Sequence, residues 1–142
     1  MAGLRFEAPK GWLLNRGDGT QVMTISTGEA TIAIYRYPRS EKIPRTKAEL
    51  TQALELLIGA AKARDSTFTE LKRARLRVDG HPAVQVRGTE TIVGRPRVVR
   101  STHVYIPRAE IVVDAFAPAQ DFARVDAQVF RPLLRSLRID KS

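Results

Sequence analysis

Four β-strand patterns follow one another between residues 67 and 117, and the short links between them constrain the fold more than any other feature. The patterns are rich in β-branched residues and cover residues 67–78, 82–92, 97–106 and 109–117. Their connections, "DGHP", "VGRP" and "PRA", are only a few residues long. Because parallel neighbours need a crossover of about a dozen residues or more, these links predict antiparallel pairing.

Further strand patterns lie closer to the amino terminus. Residues 4–6 and 12–14 predict a first strand that is interrupted at Pro9 and Gly11. The segments "QVMTIS" and "ATIAIYRY" then predict a hairpin around residues 27–29. The sheet is therefore expected to contain six or seven strands.

Two helices are predicted, one in the middle of the chain and one at its end. Thr46 and Glu49 have the spacing of a capping box, and a single apolar stripe follows them over residues 47–64. Asp121 is predicted to cap the last helix, and Pro132 should kink or restart it. The inward side of that helix is expected to carry Phe122, Val125, Val129, Leu133 and Leu137.

These elements predict an α+β fold in which helices sandwich a twisted antiparallel sheet of six to seven strands. Apolar residues occupy both phases of "VVRSTHVYI" and "EIVVDAF", as in a sheet that is covered on both faces. The length of 142 residues predicts a single domain over residues 1–142, and 43% hydrophobic residues are enough for a core. The sequence contains no cysteine, which excludes disulfides and thiolate chemistry.

Several segments together resemble the PsbP-like superfamily: "FEAPKGW", "VDGHPAVQVRG", "VVDAFAP" and "FRPLLRSLRI". This superfamily includes the PsbP extrinsic protein of photosystem II, the Mog-type Ran-binding proteins, and bacterial domains of the LpqN and DcrB types. The resemblance implies an α/β/α sandwich that serves as a binding or adaptor module, with no catalytic residues to carry over. Our leading hypothesis is a non-catalytic module that uses no cofactor and holds a protein or a small apolar ligand.

An alternative hypothesis is polyanion binding, for which the formal net charge of +9 is favourable. Arginine alternates with apolar residues before the "DGHP" turn and recurs on the next two strands. A basic sheet face for nucleic acid or an acidic surface would consist of Arg73, Arg75, Arg77, Arg87, Arg97 and Arg100. No aromatic residue lies between residues 69 and 104 to stack on bases, however, which favours a solvated strand face instead.

Two further sets of residues are candidates for a site. Trp12, Tyr35 and Tyr37 could line a groove beside the middle helix, although packing explains them equally well.

Ser101 and His103 share one strand face, and Asp114 could lie opposite them, which gives the residue types of a nucleophilic triad. A serine in the middle of a strand lacks free backbone amides for an oxyanion, so we expect no enzyme activity. Two histidines without cysteine predict no metal site.

The sequence contains no run of about 18 apolar residues, so we expect no membrane span. The amino terminus, "MAGLRFEAPKGW", also lacks the apolar stretch of a signal peptide. We therefore expect the chain as written to be cytoplasmic, or exported if a leader has been removed from it.

Overall fold

The computed structural model of the protein describes residues 3–140, which form nine strands and three helices. The strands are β1 (Leu4–Arg5), β2 (Leu13–Arg16), β3 (Gln21–Thr27), β4 (Ala30–Pro38), β5 (Thr69–Val78), β6 (His81–Ile92), β7 (Arg95–Ile106), β8 (Ala109–Pro118) and β9 (Arg138–Ile139). The helices are α1 (Lys47–Arg64), α2 (Ala119–Val125) and α3 (Arg131–Ser136), with a π-helical turn at Asp126–Phe130 between the last two.

Seven of these strands form one antiparallel sheet in the order β2-β3-β4-β8-β7-β6-β5. The antiparallel sheet and its predicted size are thereby confirmed. The predicted first strand, however, is divided between two sheets. Strand β1 leaves the main sheet and pairs with β9, with Leu4 opposite Ile139. The sequence did not indicate β9, because two residues are too short for a strand pattern.

Besides β3, strand β4 pairs with β8, which is the last strand of the main sheet along the chain. Helix α1 carries the chain from β4 to the edge strand β5, and three hairpins then return it to the middle of the sheet. This route places Ala33 of β4 beside Asp114 of β8.

The helices cover opposite faces of the sheet. Helix α1 buries Leu50, Leu54 and Ile58 against Val84 and Val86 of β6. Its capping box is present as predicted, because the Glu49 amide donates to Thr46 Oγ1 (3.1 Å) and the Thr46 amide donates to Glu49 Oε1 (3.0 Å). Helices α2 and α3 pack on the other face, where β3, β4, β7 and β8 supply a continuous apolar core. The α/β/α arrangement is confirmed.

The last helical region corrects the prediction in two places. Helix α2 begins after Pro118, so Asp121 lies inside its first turn and does not cap it. The π-helical turn adds a residue to the helical period. As a result Phe130 is buried, whereas Val129, which was predicted to face inward, is only half-buried. Pro132 does restart the helix, at the beginning of α3.

The hairpin between β5 and β6 sets the position of the arginine ladder. Asp79 and Gly80 both have positive φ, at 49° and 78°, as a two-residue type I′ turn requires. This tight turn places Arg73 opposite Val86 and Arg75 opposite Val84, so each pair shares one face of the sheet. The prediction that Arg73 and Arg75 share one basic sheet face with Arg87 is wrong, because the turn fixes a register that puts Arg87 on the opposite face.

No helix among residues 3–140 combines the length and the apolar composition that crossing a membrane requires.

Candidate functional site

A groove of about 590 Å³ lies between the C-terminal half of α1 and the sheet. It forms because α1 packs mainly on β5 and β6, and leaves the same face of β8 and β4 less covered. The groove is lined by Ala33, Tyr35, Tyr37, Leu57, Ala60, Ala61, Arg64, Asp65, Phe68, Val86, Glu90, Arg97, Val99, Ser101, His103, Val112, Asp114 and Phe116. Its volume is in the range of small-molecule sites in proteins.

The floor of the groove is polar, although it lies in the centre of the sheet. Strand pairing places Ser101 directly opposite Asp114, and His103 lies two residues farther along the same face. Ser101 Oγ donates to Asp114 Oδ1 at 2.5 Å and lies 3.2 Å from His103 Nε2. The predicted neighbourhood of Ser101, His103 and Asp114 is therefore present.

The polar row continues past His103 to the side of the sheet. His103 Nδ1 lies 2.5 Å from Glu110 Oε2, and Arg39 binds the other oxygen of Glu110. Burial disfavours ionisation of Glu110, but the contacts with His103 and Arg39 outweigh it and hold the pKa of the carboxyl below its usual value. Both oxygens of the Glu110 carboxylate are therefore occupied, one by Arg39 and the other by His103.

The stacked rings of Tyr35 and Tyr37 form one wall of the groove. Their centroids are 5.8 Å apart and the ring planes are inclined by 13°. Burial, then the neighbouring Tyr35, Asp114 and Glu110, raise the pKa of the Tyr37 hydroxyl, while Arg64 acts in the opposite direction. The wall therefore combines aromatic faces with two carboxylates, Asp114 and Glu110, that act on the Tyr37 hydroxyl.

The opposite end of the groove contains a second aromatic element. Arg97 lies over the ring of Phe116, at 4.2 Å from the centroid, and its Nε donates to Glu90 at 2.8 Å. Phe68 packs close to Gly88, where an added Cβ would lie 2.5 Å from the Phe68 ring. A side chain at residue 88 would thus displace Phe68 and change the shape of the groove.

The row of Ser101, His103 and Glu110 has the connectivity of a catalytic triad but lacks two of its requirements. The serine proton is directed to Asp114, so His103 does not accept it as a general base would. Strand β7 also pairs on both sides at Ser101, with Val86 and with Asp114, which commits its backbone amides to the sheet. No oxyanion hole is available at this serine.

The remaining candidate residues are dispersed. Arg73, Arg75 and Arg77 follow the edge strand β5 beside α1, whereas Arg87 and Arg100 point to the opposite face. The six arginines therefore do not form one basic sheet face.

Trp12 is likewise separate from the two tyrosines, because it packs edge-on against Phe130 on the α2–α3 face, with centroids 6.4 Å apart. Of the three candidate groove residues, only Tyr35 and Tyr37 line the groove.

Sequence reasoning missed Glu110, Arg39 and Arg64. One signal was present for Glu110, since it shares the strand phase of Asp114 in the otherwise apolar segment "EIVVDAF". Arg39 lies in a connector and Arg64 in the last turn of α1, and nothing in their local patterns pointed to the groove.

No family model and no curated protein sequence matches this chain. Solved structures do match it. LpqN of Mycobacterium tuberculosis, which is involved in cell envelope biogenesis, aligns with a TM-score of 0.72 at 16% identity, over 97% of this chain and 83% of LpqN. The cyanobacterial PsbP of Synechocystis aligns with a TM-score of 0.69 at 10% identity, over 98% of this chain and 94% of that protein.

The chain has the PsbP-like fold. The Ran-binding protein Mog1p of Saccharomyces cerevisiae has it as well, with a TM-score of 0.63 at 11% identity over 96% of this chain and 90% of Mog1p. At these identities the similarity concerns the fold. The resemblance predicted from the sequence is thereby confirmed at that level.

Proposed function

We propose that this protein is a non-catalytic binding module that holds its ligand in the groove between α1 and the sheet. The main observation is the groove itself, where aliphatic and aromatic walls enclose a polar floor on central strands. A few fixed polar groups within a largely apolar concavity are typical of ligand sites. The binding proteins that share this fold, such as Mog1p, are consistent with this function.

The side-chain contacts on the floor favour binding over catalysis. Asp114 and Glu110 hold Ser101 and His103 from both ends, which fixes the polar groups in place. Such fixed groups orient a ligand, whereas a nucleophile needs an available base and oxyanion donors.

A second candidate function is polyanion binding along β5. It is favoured by the formal charge of +9 and by Arg75 and Arg77, which contact the neutral oxygens of Thr51 and Gly80. Arg73 is less suited to this role, because it pairs with Glu70 and Glu55. Polyanion binding remains a prediction.

The groove can be tested by filling it. We expect Ala61→Trp to occupy the groove from α1, whereas Ala63→Trp places the same ring on an exposed position of α1 outside the lining. Each protein is incubated with a small-molecule extract of the native host and measured by native mass spectrometry. We expect an adduct with the wild type and with Ala63→Trp, and none with Ala61→Trp. An equal adduct in both variants, or none with the wild type, contradicts the proposal.

A further inference from the structure

The chemistry of the groove indicates what kind of ligand it takes, an inference that rests on the proposed function. The protein as a whole carries a formal charge of +9, yet the groove lining contains three carboxylates and two guanidinium groups. Arg97 is paired with Glu90, and Arg64 is exposed at the end of α1. The groove lining therefore carries one more carboxylate than guanidinium groups, within a protein that is basic as a whole.

Asp114 is the floor carboxylate without a cationic partner; of the other two lining carboxylates, Glu90 pairs with Arg97, and Asp65 accepts from Thr67 at the end of α1. It is half-buried on the groove floor, and among residues 3–140 it makes no ion pair; Ser101, a neutral donor, supplies its side-chain hydrogen bond. Glu110, by contrast, contacts both His103 and Arg39. A half-buried charge with one neutral donor is incompletely compensated, and a ligand cation would complete it.

The aromatic walls are suited to the same kind of group. Ala33 is the direct partner of Asp114 on the adjacent strand β4. Tyr35 is two residues farther along β4, so it lies diagonally from Asp114 on the same face of the sheet. The stacked faces of Tyr35 and Tyr37 would attract a cation through their ring quadrupoles. The groove already contains one such contact, between Arg97 and Phe116.

The position of α1 adds to this preference. Its last turn, with Ala61 and Arg64, lines the groove, so the C-terminal end of the helix lies at the site. The free carbonyls at a helix C-terminus carry a partial negative charge of about half an elementary charge. Floor and wall therefore favour a positive group, and the helix carbonyls add to this preference although Lys62 and Arg64 of the same turn oppose it.

We propose that the groove binds a small organic cation, with its ammonium group at Asp114 beside Tyr35 and Tyr37. The apolar body of the ligand lies along the aliphatic wall formed by Leu57, Ala61 and Val86. The chemical class is therefore an amphipathic amine or quaternary ammonium compound.

The test uses three probes with the same eight-carbon chain: octyltrimethylammonium, octanoate and 1-octanol. Each is titrated into the full chain by calorimetry, with amide chemical-shift mapping to locate the site. We expect octyltrimethylammonium to bind about tenfold or more tightly than octanoate, with shifts at the groove strands. Asp114→Asn should weaken the cation about tenfold and leave 1-octanol unchanged.

Tyr37→Leu provides a second variant at a more exposed position, and we expect it to weaken the cation about threefold to tenfold. Octanoate or 1-octanol binding as tightly as the cation would overturn the cation site and leave the groove as a ligand site. Cation binding that is unchanged in Asp114→Asn and Tyr37→Leu would overturn it as well. If none of the probes binds, both this inference and the proposed function are contradicted.

Discussion

On the α2–α3 face of the sheet, the central strands bury Ile34, Val104 and Val113, whereas on the α1 face the same strands present polar and aromatic groups. Each face also contains a carboxylate that contacts a residue of β7. Asp126 on the α2–α3 face binds Arg100 through two bonds of 2.7 Å and is only 5% exposed, while Asp114 on the α1 face contacts a neutral serine. The α2–α3 face is therefore closed by its own partners, whereas the α1 face is open to an additional one.

The largest expected effect comes from neutralising Asp126, with the same change at Asp114 as the comparison. Asp126→Asn leaves the Arg100 guanidinium buried without its charge partner, and should lower the free energy of unfolding by about 3–5 kcal/mol. Asp114→Asn keeps an acceptor for the Ser101 hydroxyl, and should change it by less than about 0.5 kcal/mol. Denaturant unfolding at pH 7 measures the free energy of unfolding of both variants, and we expect their m-values to be unchanged. Similar losses in the two variants would mean that the faces are equally closed.

A smaller effect is expected from the helix that roofs the groove. Amides of Thr46 and Arg45 donate to the Glu49 carboxylate and lower its pKa from 4.5 to about 2. Because the folded pKa lies below the unfolded one, this contribution is present above pH 4.5 and is lost as the pH falls towards 2. Glu49→Gln should therefore flatten the fall in stability between these pH values, as measured by denaturant unfolding across that range. A fall as steep as in the wild type would exclude this cap as its source.

The smallest effect is expected at the edge of the α1 face. The triple variant Arg73→Ala, Arg75→Ala, Arg77→Ala should change binding to a fluorescent oligonucleotide by less than about threefold, because Arg73 is already paired with Glu55 and Glu70 and the proposed ligand site is the groove. If a polyanion binds through this ladder, the triple variant should instead lower the magnitude of the slope of log affinity against log salt by about two to three. A salt series at constant pH distinguishes the two results.

Local patterns were sufficient to predict much of the fold. The capping box at Thr46 and Glu49, the restart at Pro132 and the antiparallel hairpins all depend on residues that are close in sequence. The predicted pairing of Ser101 and His103 with Asp114 also followed, because strand periodicity and one short turn determine it.

Other features depend on contacts between distant segments. The pairing of β4 with β8 could not be predicted, because it depends on how α1 crosses the sheet, and it is this pairing that brings Tyr35 and Tyr37 into the same groove as Asp114. The face of the arginine ladder depends on the register of the β5–β6 turn, where a shift of one residue would invert it.

Local signals along the chain are enough to specify the strands of the main sheet, helix α1 and the alternation of side chains along each strand, because propensity, capping and turn chemistry act over a few residues. Which of those side chains share a face, and where the groove lies, depends on contacts between distant segments. Helix α1 packs over β5 and β6 and leaves the floor between Ser101 and Asp114 open, and this is a property of long-range packing.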